Sequence, residues 1–337
     1  MKRLKAFSIC IIVLALMGAG LGGCTKKTEL EQVTIAEVTH SIFYAPQYVA
    51  MEAGYFEEEG LDVSLILTQG ADKTMAALLS NEAQIGFMGP EASIYVYNQG
   101  SKDYAVNFAQ VTKRDGTFLV GRNKVESFDF KDLMGKEIIG GRKGGMPEMT
   151  LEYVLKNQGL TLGEDMANGE TYVRTDVQFA AMGGAFVGGE GDFVTLFEPT
   201  ATQLEEKNEG YIVASIGELS GEIPYTAYSA LNSYMEKNPT IIQRFTNAIY
   251  KGQQYVKDHT AEEIAELIAP QFKEMDKSEL ITVIQRYKDN DTWCTDPILR
   301  EESLNRLMEV MILAGELTEK PPYKDLVTTT FAEKSIK

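Results

Sequence analysis

Cysteine, histidine, tryptophan and positive charge are all scarce in this chain. It has three cysteines, two histidines and one tryptophan in 337 residues. Cys10 and Cys24 lie at the N-terminus, which leaves Cys294 alone in the body of the chain and excludes an intramolecular disulfide there. A solitary Cys294 reads as a small buried hydrophobe, and Trp293 beside it reads as core. A thiol or hydroxyl nucleophile usually works beside a histidine base, and only His40 and His259 are available. No His/Cys cluster has the spacing of a metal site. No Gly-Lys-Ser/Thr sequence ends a phosphate loop, and no Ser-His-Asp arrangement stands out. These absences argue against an enzyme and imply no cofactor. Basic residues number 32 against 49 acidic ones, a formal charge of −17. The first 23 residues hold three of the basic residues and no acid, so the remainder stands at 29 against 49, or −20. A surface this acidic excludes nucleic acid and electrostatic attachment to anionic lipid. An anion site would have to be local, built from helix N-termini and a few Arg or Lys side chains. Internal repeats, coiled-coil heptads and low-complexity runs are absent.

One hydrophobic run is present, at the start. Lys2, Arg3 and Lys5 precede an apolar stretch from Ala6 to Ala19, followed by Leu21-Gly22-Gly23-Cys24. A basic region, an apolar region and small residues at a cleavage point make an export signal. The cysteine directly after the small residues is similar to a bacterial lipobox. On this reading residues 1–23 are a signal peptide, Cys24 is lipidated, and 24–32 are a polar tether. The protein would sit outside the cell membrane on its outer face. A transmembrane anchor fits less well, because a spanning helix needs ~20 apolar residues and this run is shorter and interrupted by Gly18 and Gly20.

From Val33 onward, short apolar runs alternate with amphipathic stretches. Strands are expected at 33–38, 61–67, 83–88, 104–111, 136–139, 171–174, 192–196 and 211–215, with an extended stretch at 224–230. Helices are expected at 46–53, 72–79 (Asp72 as N-cap), 90–98, 147–157, 177–182 and 199–207. The last third reads as consecutive helices, 239–257, 261–269, 277–287 and 300–313. Alternating strands and helices predict an α/β protein with parallel, two-sided sheets. Two such blocks plus a helical tail suggest two lobes and a cleft, with ligand at the carboxyl ends of the strands.

The stretch Pro46-Gln47-Tyr48-Val49-Ala50, then Gly54-Tyr55-Phe56 and Gly60-Leu61-Asp62-Val63, resembles the opening of the substrate-binding proteins of ABC importers for sulfonates, nitrate and thiamine-precursor pyrimidines. Gly70-Ala71-Asp72, Gly86-Phe87-Met88-Gly89, Leu133-Met134-Gly135-Lys136 and Phe197-Glu198-Pro199 continue the likeness. The resemblance implies a two-lobed periplasmic-binding-protein fold, type II-like, with a C-terminal helical segment. Lobe one would comprise 33–117 and 223–337, lobe two 118–222, and the helical tail would pack on lobe one. It further implies hinge closure on a small solute and delivery to an ABC permease with its ATPase subunits, while the lack of a disulfide and the single anchor fit a monomer.

The loops after the strands supply the candidate ligand contacts. Phe43, Tyr44 and Tyr48 follow the first strand and could stack on a planar solute; core packing is the alternative. Phe87, Met88 and Glu91 follow the third strand, where Glu91 would otherwise be a first-turn acid favoured by the helix dipole. The loop Gly140 to Gly145 opens the next helix and exposes N–H groups, with Gly144 and Glu148 as candidate contacts and Arg142 and Lys143 as added charge. Glu198 would accept the N–H bonds of an aminopyrimidine edge, or cap the helix after Pro199. Tyr225 stands at the return crossover as hinge or contact. His40 reads as a ligand contact. A fungal branch of the superfamily makes the thiamine pyrimidine from its own histidine and pyridoxal phosphate, but its Cys-rich iron-linked motif is not present here. The favoured solute is a planar heterocycle such as a thiamine-precursor pyrimidine. An alkanesulfonate, taurine or nitrate is the alternative, and an extracytoplasmic enzyme or a sensory binding protein ranks below both.

Overall fold

The computed structural model describes residues 29–337; the expected export signal and the expected lipidation site Cys24 lie outside them. Ten strands form two five-stranded sheets. They are β1 Glu31–Glu37, β2 Leu61–Leu67, β3 Ile85–Met88, β4 Ala105–Thr112, β5 Thr117–Gly121, β6 Glu137–Ile139, β7 Tyr172–Arg174, β8 Phe193–Phe197, β9 Tyr211–Ser215 and β10 Thr226–Leu231. The first sheet has the order β2-β1-β3-β10-β4 and the second β7-β6-β8-β5-β9. Each sheet therefore receives one strand that arrives from the other lobe, in the same slot. Because β10 and β5 enter from the opposite side, they run antiparallel to both neighbours, while β1 pairs in parallel with β2 and β3, and β6 with β7 and β8. The sheets are thus mixed, not wholly parallel as the alternation predicted. All residues of β3, β4, β5 and β10 are buried, as expected for strands covered on both faces.

The helices are α1 Ala45–Glu52, α2 Tyr55–Glu58, α3 Ala71–Leu79, α4 Glu91–Asn98, α5 Met146–Asn157, α6 Met182–Val187, α7 Thr200–Glu206, α8 Ile216–Ser220, α9 Asn232–Lys237, α10 Pro239–Asp258, α11 Ala261–Ile268, α12 Lys277–Asp289, α13 Glu301–Leu313, α14 Tyr323–Leu326 and α15 Thr330–Ser335. Most expected elements appear within a residue or two. The segment 177–182 differs: a 3-10 turn, Phe179–Ala181, precedes α6. Gly70, not Asp72, is the N-cap of α3, and Asp72 lies in its first turn.

The tail helices touch both lobes, more than the resemblance implied. Helix α10 packs along α1, so closely that a β-carbon at Gly252 would collide with the Pro46 carbonyl oxygen. Helix α12 sends Tyr287 between the lobes, where its hydroxyl donates to the Gly116 carbonyl at 3.1 Å and accepts from the Glu198 N–H at 3.1 Å. Helix α13 meets α5 of the second lobe, and Lys156 Nζ donates to the Leu313 carbonyl at 3.2 Å.

Candidate ligand-binding cleft

The loops after β1, β2, β3, β6 and β7 converge on a cavity of about 130 Å³ between the lobes. The first lobe contributes Val38, Thr39, Tyr44, Gly70, Asp72 and Glu91, and the second Arg142, Met146, Val177, Phe179 and Phe197, with Tyr225 from the return crossover. The wall is largely aromatic and aliphatic. A larger outer pocket of about 540 Å³ adjoins it and shares Val38, Thr39, Gln69, Phe179 and Phe197.

Three of the eleven expected contact residues line the cavity: Tyr44, Glu91 and Tyr225. Tyr44 sits in the 3-10 turn Ile42–Tyr44, against the Phe87 ring at 4.2 Å. Burial pushes its hydroxyl pKa up. Tyr225 presents a buried hydroxyl that faces Asp115. Glu91 opens α4 and is only 2 % exposed, and its Oε2 has no partner. Burial pushes its pKa up to about 7; Asp72 adds to this, and Arg142 and the helix amides oppose it. Gly89 makes the arrangement possible, since a β-carbon there would collide with Glu91 Oε2 and Met146 Cγ.

The other expected contacts are placed elsewhere. Phe43 is core, packed at 5.3 Å from Phe197 and 5.6 Å from Tyr225. Phe87 stacks on Tyr228 at 4.2 Å under the sheet, and Met88 packs with Met75, Leu78 and Leu231. Tyr48 is core too, donating to Glu37 Oε2 at 3.0 Å. His40 has both ring nitrogens engaged, Nδ1 with Glu37 Oε1 at 3.1 Å and Nε2 with the Gln271 carbonyl at 2.9 Å. The Glu37 hydrogen bond raises its pKa. His40 borders the outer pocket only. The loop before α5 binds itself: Gly144 N–H donates to Glu148 Oε2 at 3.0 Å, Gly145 N–H to the Arg142 carbonyl at 3.0 Å, and Lys143 Nζ to Glu148 Oε1 at 2.8 Å. The Gly144 carbonyl accepts from Tyr95 Oη at 2.9 Å, a contact between lobes. Glu198 has no exposed side-chain surface and is spent on the Thr202 N–H and hydroxyl, both at 2.9 Å, and on the Arg286 guanidinium. It holds α12 to α7 and is not offered to a solute.

Reading the sequence named Arg142 as added charge at this loop but missed its pairing with Asp72, whose Oδ1 lies 3.6 Å from the Arg142 Nε across the cavity. It also missed Asp115, at the outward crossover. Its Oδ1 accepts from the Thr117 N–H and hydroxyl, each at 2.6 Å, while Oδ2 is buried without a partner. Burial pushes its pKa up to about 7. The Tyr225 and Thr150 hydroxyls face it and, with the Thr117 bonds, oppose that rise. A polar residue beside a glycine at a crossover was the available signal.

Two α/β lobes with a cavity at the carboxyl ends of their strands define the class of two-lobed solute-binding proteins. The chain belongs to the NMT1-like family, which residues 26–269 match. It is 46% identical, over 96% of both chains, to YtlA of Bacillus subtilis (strain 168), whose name describes a binding protein. It is 26% identical to the 4-amino-5-hydroxymethyl-2-methylpyrimidine phosphate synthase of Aspergillus parasiticus, over 64% of this chain and 63% of that one. Its fold is that of the alkanesulfonate-binding protein SsuA of Xanthomonas axonopodis pv. citri bound to MOPS, with a TM-score of 0.70 and 14% identity over 89% of this chain and 99% of the other. The family resemblance read from the opening motif and the two-lobed α/β fold are both borne out. Among the described residues no helix is long and apolar enough to cross a membrane.

Proposed function

We propose that this protein is the extracytoplasmic receptor of an ABC importer, anchored by lipid at Cys24, and that it captures a planar one-ring heterocycle of the aminopyrimidine class. The cavity between the lobes carries the reading. Its volume, about 130 Å³, is close to the ~150 Å³ apolar cavity that accommodates benzene. Tyr44, Phe179, Phe197 and Tyr225 on its wall suit a flat ring, each favourable aromatic pair adding ~0.5–1.5 kcal/mol beyond buried area. Walls from both lobes mean that a bound solute favours the closed form, which the permease and its ATPase subunits would distinguish from the open one.

The test is calorimetric titration of protein purified from cells expressing the full chain and stripped of ligand by partial unfolding. The panel is 4-amino-5-hydroxymethyl-2-methylpyrimidine, riboflavin, taurine, alkanesulfonates and nitrate. Binding of the pyrimidine in preference to the rest is expected. Tight binding of an alkanesulfonate or nitrate with no response to the pyrimidine would overturn the reading of the solute.

A further inference from the structure

Among the described residues, three helices with N-termini at the cavity carry an acid in the first turn, while α1, with Tyr44 as its N-cap, carries none. The three are α3 with Asp72, α4 with Glu91 and α5 with Glu148. A helix N-terminus is a natural oxyanion site, because free N–H groups and the helix dipole both favour negative charge. At α4 and α5 the protein's own carboxylates occupy those positions. At α5, Glu148 takes the Gly144 N–H and Arg142's carbonyl takes the Gly145 N–H, and Pro147 has no N–H to offer. The one arginine on the cavity wall, Arg142, is opposed by Asp72. Lys73 stands exposed at the rim. Glu91 alone among the acids is sealed at the cavity with an oxygen left unpartnered. A buried, unsatisfied acceptor imposes a cost that a matching donor removes.

Resting on the one-ring cavity proposed above, we infer that Glu91 sets the charge class of the solute: the ring must bring an N–H-donating, cationic head such as an amidinium, and rings bearing an oxyanion are rejected. The carboxylate Oε2 accepts from the head and neutralises it, and the aromatic wall holds the ring. The charged and titratable groups around Glu91 are Asp72 on α3, Arg142 before α5, Tyr95 on α4, and the hydroxyls of Tyr44 and Tyr225. The three tyrosines all have raised pKa values and stay neutral through the neutral range.

The test uses three probes with the same ring and different charge: benzamidine, benzamide and benzenesulfonate, titrated calorimetrically into the purified protein. Benzamidine is expected to bind ~10- to 100-fold more tightly than benzamide, the range for a hydrogen bond to a charged group. Benzenesulfonate is expected to bind weakest. Glu91→Gln is expected to collapse the benzamidine-to-benzamide ratio toward one, and benzamide binding reports that the variant still folds. Benzamidine stays charged throughout, so its affinity should rise about tenfold per pH unit up to about pH 7, where Glu91 ionises, and level off above. In Glu91→Gln that slope should vanish. A preference for benzamide or benzenesulfonate, or a ratio unmoved in Glu91→Gln, would refute the role of Glu91 and leave the one-ring cavity standing. Failure of all three probes to bind would refute the one-ring cavity, and this inference with it.

Discussion

Asp115 offers a test of the crossover that needs no knowledge of the solute. Its carboxyl is 1 % exposed, and one oxygen has no partner while the other accepts two hydrogen bonds from Thr117. Burial raises its pKa from the usual 3.8 to about 7. The folded chain therefore holds a proton that the unfolded chain releases at lower pH. Between about pH 4 and pH 7 the native state binds more protons, so stability falls as pH rises through that window and is flat above it. At ~1.4 kcal/mol per unit, the shift of about three units sets a ceiling of roughly 4 kcal/mol on the loss. Asp115→Asn keeps an acceptor for Thr117 and places an N–H donor where the protonated carboxyl has its O–H, so it should imitate the low-pH form at every pH. The assay is thermal unfolding of both proteins from pH 4 to pH 8.5. The Tm gap in favour of Asp115→Asn should open steadily to about pH 7 and then stay constant, reaching at most ~8 °C at ~2 °C per kcal/mol for a chain of this size. Taking the difference cancels the other titrating groups. A gap independent of pH, or a variant that is less stable at pH 8, would show that Asp115 is ionised and satisfied in the fold.

Gly252→Ala should destabilise the protein by ~1–3 kcal/mol in urea unfolding. Helix propensity alone would favour alanine by ~1 kcal/mol, and the collision with the Pro46 carbonyl reverses the sign. Arg286→Met should cost ~3–5 kcal/mol in the same assay, because it leaves the buried Glu198 charge without its partner, and Arg286→Met combined with Glu198→Gln should recover part of the loss. Cys24→Ser should move the protein from the membrane fraction to the soluble fraction on cell fractionation, and retention at the membrane would remove the lipid anchor from the proposed function.

The fold was largely legible because periodicity reports burial, and burial shapes both strands and helices. Strand β2 over 61–67 and β9 over 211–215 fall on their expected residues. Strand β5 was not expected: Thr117 to Gly121 are buried throughout, so no alternation marks them, and their place between β8 and β9 depends on a crossing from the other lobe. That same crossing makes the sheets mixed. The site was legible as a set of loops but not as a set of side chains. Phe43 and Tyr44 are neighbours in one turn, yet one faces the core and the other the cavity. Glu198 sits at the end of β8, where a ligand contact is plausible, but Arg286 arrives from 88 residues downstream and takes its charge. No local pattern carries that information. Glu91 was legible as a first-turn acid; its isolation depends on Gly89 letting Met146 of the other lobe close over it.

If the proposed solute acts by closing the lobes, the contacts between them indicate what it has to supply. Around the cleft they include the Tyr95–Gly144, Ser41–Glu198 and Lys156–Leu313 hydrogen bonds and the ion pairs Asp72–Arg142 and Lys143–Glu316, the latter at 3.9 Å. In both ion pairs the side chains are a quarter to a half exposed, and exposed pairs of this kind contribute ~0–1 kcal/mol each. The buried links, Arg286 with Glu198 and Tyr287 with Gly116 and Glu198, join α12 to the start of α7 and the crossover. The rim thus contributes little to holding the lobes together, whereas shifting a two-state equilibrium from mostly open to mostly closed takes a ligand preference of ~5.5 kcal/mol. The proposed ring on the aromatic wall and a hydrogen bond to Glu91 would contribute ~0.5–1.5 kcal/mol per aromatic pair and ~1.5–3 kcal/mol toward it, on top of the apolar area the ring buries.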